Sequence, residues 1–414
     1  MLSRRGLMAG AGLATGLIAT AGAANAAGPA TDLKPMTGGA KPISVEERRD
    51  RIAKAQRLMG EAGMDAMLLE PGAAMDYFTG IQWWRSERLT AVIIPAKGDV
   101  VVVTPAFEEP SVRETLAIGG DVRPWDEHEN PLVRVVQALK DRGVTGRIGV
   151  EATVRFFVID NLRKLRPALE VVSADPVTRA CRLIKSPAEL ALMQAATDVT
   201  MAAYRYVHAR VKTGMTHDAI SKMMDEATVA LGGAPEFSMV LLNEAAAFPH
   251  GSHQPQTVKE GGVVLMDCGC TVHGYQSDIS RTWVNGAPSD KQKTVWATIK
   301  RGQEIALETA QVGVACGKVD QAVRAYYEKE GWGPGYKLPG LSHRTGHGIG
   351  LEGHEPAFLV SSDETLLAPG MCFSDEPGLY IPGEFGMRLE DCFHMTEAGP
   401  KLFSGLAKSL DDPI

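Results

Sequence analysis

Two aspartates in the second half of the chain occupy positions that penalise a carboxylate. Val263-Val264-Leu265-Met266-Asp267-Cys268-Gly269 reads as a buried apolar strand with a single acid inside it. Burying an ionised carboxylate is costly unless it is paired or holds a cation. Eleven residues later comes Asp278, in Tyr275-Gln276-Ser277-Asp278-Ile279-Ser280-Arg281-Thr282, and turn residues at 272–274 predict a hairpin joining the two segments. In that register the two aspartates face each other, with Cβ atoms ~5 Å apart. Like charges so close cannot both ionise without a positive partner. A pair of divalent cations would provide it.

Three further donors follow in similar settings. His347 lies in His343-Arg344-Thr345-Gly346-His347-Gly348-Ile349-Gly350, where the glycines let backbone approach a ligand closely. Glu376 lies in Ser374-Asp375-Glu376-Pro377-Gly378, and Glu390 in Gly386-Met387-Arg388-Leu389-Glu390-Asp391. Between them Ile381-Pro382-Gly383-Glu384-Phe385 reads as the turn of a second hairpin. Singly, each of these acids is an ordinary structural residue. Together, Asp267, Asp278, His347, Glu376 and Glu390 resemble, in order and local context, the ligand set of the pita-bread metallopeptidases, the group of methionine aminopeptidase, aminopeptidase P and prolidase. The likeness spans about residues 45–405. The first part of the chain resembles the creatinase-type N-terminal domain of prolidases and aminopeptidase P, which ordinary methionine aminopeptidases lack, so the expected substrate class contains proline.

The resemblance implies a dinuclear-metal peptidase that cuts the Xaa-Pro bond of dipeptides or short peptides, as an Xaa-Pro dipeptidase or an Xaa-Pro aminopeptidase. Asp267 would chelate one ion and His347 with Glu376 the other, while Asp278 and Glu390 bridge them and a hydroxide lies between. Glu376 is then the general base. Four carboxylates and one imidazole form a hard, oxygen-rich set that favours Mn2+, with Co2+ or Zn2+ accepted. His250, His343 and His354 match histidines that line the substrate pocket in relatives, His354 and His250 being catalytic. Arg388 resembles an arginine that pairs with the metal-site carboxylates, and Tyr380 a tyrosine beside it; the resemblance implies that both, with the three histidines, are substrate-binding. One departure stands out: short prolidases carry an arginine a few residues after the His-Glu pair that grips the dipeptide carboxylate. Here His354-Glu355-Pro356-Ala357-Phe358 has none, which opens the choice between dipeptides and longer peptides. Relatives are commonly homodimers. The same fold also serves creatinase-like C–N hydrolases, adaptors without a site, and metal-dependent hydrolases or lyases of other small carboxylates; the intact donor set argues against the first two.

The elements that must position these groups set the domain expectations. The 414 residues, 44% hydrophobic and 22% charged, suffice for two cores. A net charge of −7 argues against a nucleic-acid partner. Residues 1–26 resemble a twin-arginine signal peptide: Ser3-Arg4-Arg5, an apolar stretch, then Ala24-Asn25-Ala26 for cleavage. A periplasmic or exported address follows, with no stable membrane anchor. Residues 27–44 read as a flexible tether. Residues 45–180 form the expected creatinase-like N-terminal α/β domain, opened by a capping box at Ser44 and Glu47, with strands at 67–69, 91–94, 100–103 and 148–150. Its aromatic cluster, Tyr77-Phe78 with Trp83-Trp84, reads as core. Residues 181–410 form the expected pita-bread catalytic domain, beginning at the N-cap Ser186-Pro187-Ala188-Glu189. The fold class is α/β, more fully α+β. Six scattered cysteines show no CxxC spacing and read as buried hydrophobes.

Overall fold

The computed structural model describes residues 32–414; the signal-peptide reading of residues 1–26 lies outside them. Among the described residues no helix is long and apolar enough to cross a membrane.

The first region is a sheet covered on both faces. Its elements are α1 (Val45–Glu61), β1 (Ala66–Leu69), α2 (Ala73–Thr79), β2 (Ala91–Pro95), β3 (Val101–Pro105), α3 (Glu109–Thr115), β4 (Asp121–Trp125), α4 (Pro131–Asp141), β5 (Arg147–Val150), α5 (Phe156–Leu165), β6 (Glu170–Ser173) and α6 (Asp175–Arg182). Six strands lie in the order β4-β3-β2-β1-β5-β6. The β2–β3 hairpin read from the sequence forms as an antiparallel pair. Apart from Thr104, strands β1 to β3 are apolar because alternate residues enter different cores. Met67, Leu69, Val92 and Ile94 pack under α1, α2 and α6, while Leu68, Ile93, Val101 and Val103 pack under α4 and α5. Each fully buried leucine or isoleucine contributes ~1.5–3 kcal/mol. Tyr77 and Phe78 belong to the first of these cores, but Trp84 is exposed and stacks on Trp83.

The second region repeats a plan of two helices followed by antiparallel strands. Its first half is α7 (Pro187–His208), α8 (His217–Leu231), β7 (Ala234–Leu242), β8 (Gly262–Val272), β9 (Tyr275–Gln276) and β10 (Ile279–Asn285). Its second half is α9 (Asp290–Thr309), α10 (Cys316–Lys329), β11 (Gly346–Gly348), β12 (Glu355–Leu359), β13 (Cys372–Asp375), β14 (Gly378–Ile381), β15 (Phe385–Arg388), β16 (Asp391–Thr396) and β17 (Gly399–Leu402). The strands order as β10-β8-β7 and as β12-β11-β13-β16-β17, with β14–β15 a separate hairpin. Ser186 caps α7 through a full capping box with Glu189. At α1 only half of the expected box forms: Ser44 accepts from the Glu47 amide, but the Glu47 carboxylate instead meets Arg51 and the Ser186 hydroxyl. That carboxylate therefore ties the two regions together rather than closing its own helix.

The described part of the tether is docked, not free. The Met36 amide donates to the carbonyl of Leu231 and the Thr37 hydroxyl to that of Gly232, while Leu33 and Ala40 pack on the α7–α8 core. The reason is local: the last carbonyls of a helix lack intrahelical donors, and this segment supplies them.

Candidate metal centre

The predicted β8–β10 hairpin forms, with a correction to its register. The connecting turn is two residues, His273 at φ 49° and Gly274 at φ 82°. Positive φ at both positions is the backbone of a tight hairpin turn. It sets Val272 opposite Tyr275, and hence Asp267 opposite Ser280, not opposite Asp278. Asp278 lies diagonally, in the break between β9 and β10, and still on the same face, as a two-residue offset requires. Gly269 makes the break passable, because a Cβ there would lie 2.3 Å from the Ser277 carbonyl oxygen. Asp267 faces away from the α7–α8 core by simple alternation: Val264, Met266 and Cys268 enter that core, and Val263 and Leu265 the opposite one.

The other donors arrive from the second half. His347 is the middle residue of β11, Glu376 follows β13, and Glu390 lies between β15 and β16. The segment before β11 is held by α10: the Thr345 amide and hydroxyl both donate to Asp320, and the Arg324 guanidinium donates to the carbonyls of Leu341 and His343. The His347 amide donates to Ser374 Oγ at 3.0 Å. The β14–β15 hairpin, turning at Gly383 as the sequence indicates, presents Arg388.

Donor atoms of Asp267, Asp278 and Glu390 converge within 4.8 Å of one another, as do those of His347, Glu376 and Glu390. His347 Nε2 is 3.5 Å from Glu376 Oε1 and 3.6 Å from Asp278 Oδ2. Its Nδ1 lies 3.1 Å from the Gly348 carbonyl; with the proton there, Nε2 presents a lone pair to the cluster. Burial pushes the His347 imidazole down to about 3, so the ring is neutral, as a ligand must be.

Asp267 Oδ1, Asp278 Oδ1 and Glu390 Oε1 are buried and have no hydrogen-bond partner among the described residues. Arg388 gives Asp267 Oδ2 an ion pair at 2.5 Å and Ser280 donates to Glu390 Oε2 at 2.7 Å, so Asp267 and Glu390 are each anchored by one oxygen and offer the other. Burial, then the neighbouring carboxylates Asp267 and Glu376, hold Asp278 well above the usual range. Burial and then Asp278 do the same to Glu390. Glu376 is lifted to about 7 by burial, against the pull of Arg388. Acids that repel one another, a neutral imidazole and unpaired oxygens aimed at one point fit a divalent-cation pair.

These five residues and His250, His343, His354, Arg344 and Arg388 line one open cleft of about 410 Å³, with Phe237 and Met239 of β7 as an apolar wall. The His354 ring lies 3.8 Å from that of His347. Tyr380 does not line the cleft, contrary to its reading as a substrate contact. It is fully buried, accepting from Arg388 Nη1 at 2.9 Å with its hydroxyl 2.8 Å from His343 Nε2, and so supports two groups that do face the cleft. Ser280, Asp320, Arg324 and Ser374 carry the donor segments, yet nothing in the sequence marks them. Asp320 and Arg324 read there as an ordinary helical i,i+4 pair.

Residues 191–397 match the model of metallopeptidase family M24, and residues 51–184 that of the creatinase/prolidase N-terminal domain. The chain is 32% identical over 377 residues to the probable dipeptidase PepE of Mycobacterium tuberculosis, covering 87% of this chain and 95% of that one. It is 29% identical over 367 residues to the Xaa-Pro dipeptidase of Lactobacillus helveticus, covering 87% and 98%. The solved dipeptidase PepE of Mycobacterium ulcerans superposes with a TM-score of 0.81 at 30% identity, over 88% of this chain and 97% of that one. A prolidase from Thermococcus sibiricus superposes with a TM-score of 0.80 at 26% identity, over 86% and 97%.

Proposed function

The chain is a metallopeptidase of family M24 with a creatinase/prolidase N-terminal domain, and from that premise we propose that it hydrolyses the Xaa-Pro bond of dipeptides and short peptides. The observation that carries the proposal is the convergence of three buried, unpartnered carboxylate oxygens with a neutral imidazole at the floor of a cleft of peptide size. Asp267 would hold one ion, His347 and Glu376 the other, and Asp278 and Glu390 both. When bound, two divalent ions activate a water and polarise the scissile carbonyl. The oxygen-rich donor set favours manganese.

The chain's own groups then divide the work. Glu376 takes the proton of the attacking water and passes it to the leaving nitrogen. His354 donates to the carbonyl oxygen of the scissile bond, and His250, in the same cleft, serves the proline nitrogen. Arg388 is fully engaged with Asp267, Ser280, Tyr380 and the Pro249 carbonyl. Arg344 lies against the Phe358 ring at 4.4 Å and has no carboxylate partner among the described residues, which leaves it available for the free carboxylate of a short substrate. The likeness to proteins named Xaa-Pro dipeptidase and prolidase supports the proline preference. Export to the periplasm and a homodimer are further parts of the proposal, supported by the N-terminal sequence and by the resemblance respectively.

The test is to load the purified protein with manganese and compare Ala-Pro, Xaa-Pro tripeptides and a proline-free dipeptide. Preference for the two proline substrates is expected. Equal rates on all three would remove the proline assignment, and inactivity with every added divalent metal would remove the peptidase reading.

A further inference from the structure

His354 does not stand on a regular element. It ends the turn that leads into β12, whose first residue is Glu355. Glu355 does not line the cleft that His354 lines, and runs instead into the seam between α6 and the second region. Two cations meet it there. Lys185, in the short connection between α6 and α7, places Nζ 2.5 Å from Glu355 Oε1; Arg182, the last residue of α6, bonds Glu355 Oε2 and also Glu352 Oε2 at 2.7 Å.

The Lys185 and Glu355 side chains are 2% and 4% exposed. Burial opposes ionisation of Glu355, yet Lys185 and Arg182 outweigh it and hold the acid below the usual carboxylate range. Such clusters are weak devices for stability, because apolar residues of similar volume often do as well or better. What they supply is direction. The turn is locked at several points: Gly350 donates to the Glu352 carbonyl, the Gly350 carbonyl accepts from Gln276 beside Asp278, and the Lys185 amide donates to Gly370. A Cβ at Gly350 would lie 2.5 Å from Glu355 Oε1 and 2.9 Å from Lys185 Cε, so the turn sits directly on the ion pair. Behind it lies a hollow of about 160 Å³ lined by Asp175, Arg179, Arg182, Glu352 and Glu355. Polar anchors rather than tight packing therefore fix this side of the turn.

We propose that Lys185 and Arg182 are positioning residues: through Glu355 they fix where His354 stands over the donor cluster, so that the connection from the first region sets the catalytic geometry of the second. The proposal rests on His354 acting on the scissile bond as argued above. A misplacement of ~1 Å costs about 10²-fold in rate, which makes such anchoring visible in kinetics.

The experiment uses the manganese-loaded full protein in five forms: wild type, the charge-balanced pair Lys185→Met with Glu355→Gln, His354→Ala, the combination of these three substitutions, and Lys185→Arg alone. The expected result for the balanced pair is bound manganese and melting temperature close to wild type, KM for Ala-Pro little changed, and kcat lower by roughly 10–100-fold. Added to His354→Ala, the pair should cost nothing further, because the group it positions is gone; Lys185→Arg alone should retain most of the activity. Wild-type kcat in the balanced pair, or an equal fold loss in the His354→Ala background, overturns the proposal while leaving the peptidase reading intact. If His354→Ala alone has native kcat, the role assigned to His354 fails, and the proposal with it.

Discussion

The two regions of the molecule treat charge in opposite ways. In the first, charges are mostly kept at the rim in pairs with one exposed partner or two, such as Arg88–Glu127 and Arg147–Glu170, and the sheet interior is apolar on both faces. The second places Arg281, Arg388, Asp391, Asp375 and four metal-type donors deep inside. Arg281 and Asp391 pair at 2.6 Å with neither side chain exposed. Interiors do not accept such groups without an opposing interaction. The first region therefore behaves as a scaffold whose sequence is set by packing, and the second as a scaffold interrupted by a site whose cost is offset by what the site binds.

The contrast breaks most sharply at the donors. Glu376→Ala should lower kcat by roughly 10²–10⁴-fold or more, and Asp278→Ala should abolish turnover. Metal-free melting temperature in either variant should be unchanged or higher, since each removes an acid repelled by its neighbours. A variant that is active, or unfolded, would erase the distinction between site and scaffold.

Removing metal should expose the same repulsion as a pH dependence. Glu376 is raised to about 7 and Asp278 and Glu390 are also raised, so at these three groups the folded metal-free protein binds more protons than the unfolded chain. Stability from these groups is complete below their unfolded pKa values, ~4, and is lost as pH rises through their folded values, toward 7 for Glu376. In chelator-treated protein the melting temperature of Glu376→Gln should therefore gain on that of wild type as pH rises from 5 to 7.5; the lowered His347 imidazole acts in the opposite sense but is common to both forms. Manganese at 100 times its Kd should restore ~2.7 kcal/mol and flatten the slope. A difference between the two forms that stays constant over this interval would contradict the description of the cluster.

Two arginines sharpen the comparison further. Arg281→Met leaves Asp391 buried without its cation and should cost ~3–5 kcal/mol in urea unfolding. Arg88→Ala removes an ion pair at the rim of the first region, with the side chains 35% and 55% exposed, and should change stability by no more than ~1 kcal/mol and activity not at all. Similar costs for the two would show that burial is not what separates the regions.

Much of this was legible in the chain. Alternation in β8 sets Asp267 on one face, the His273-Gly274 turn forces a hairpin, and the capping box at Ser186 starts α7 where expected. Asp267 stood out because it interrupts an apolar strand, whereas the five donors as a set were found through their resemblance, in order and local context, to a known ligand set. The exact pairing was not: a one-step difference in how the turn closes moves Asp278 from opposite Asp267 to diagonal. Tyr380 was legible as a neighbour of the site but not as a buried support, since its sequence context is the same in either case. Ser280, Asp320 and Arg324 gave no signal, because a hydroxyl in a strand or an i,i+4 pair on a helix looks alike wherever it points.

By itself, then, the sequence determined the elements, their buried faces and the residue types able to hold metal, because periodicity and the cost of a lone buried acid are local. Only the tertiary structure decided which oxygen of each acid is left free, that the tether docks on α8, and that Glu355 is clamped from across the seam by Arg182 and Lys185. Those outcomes depend on partners 100 or more residues away in sequence, and no local pattern encodes the meeting of distant side chains.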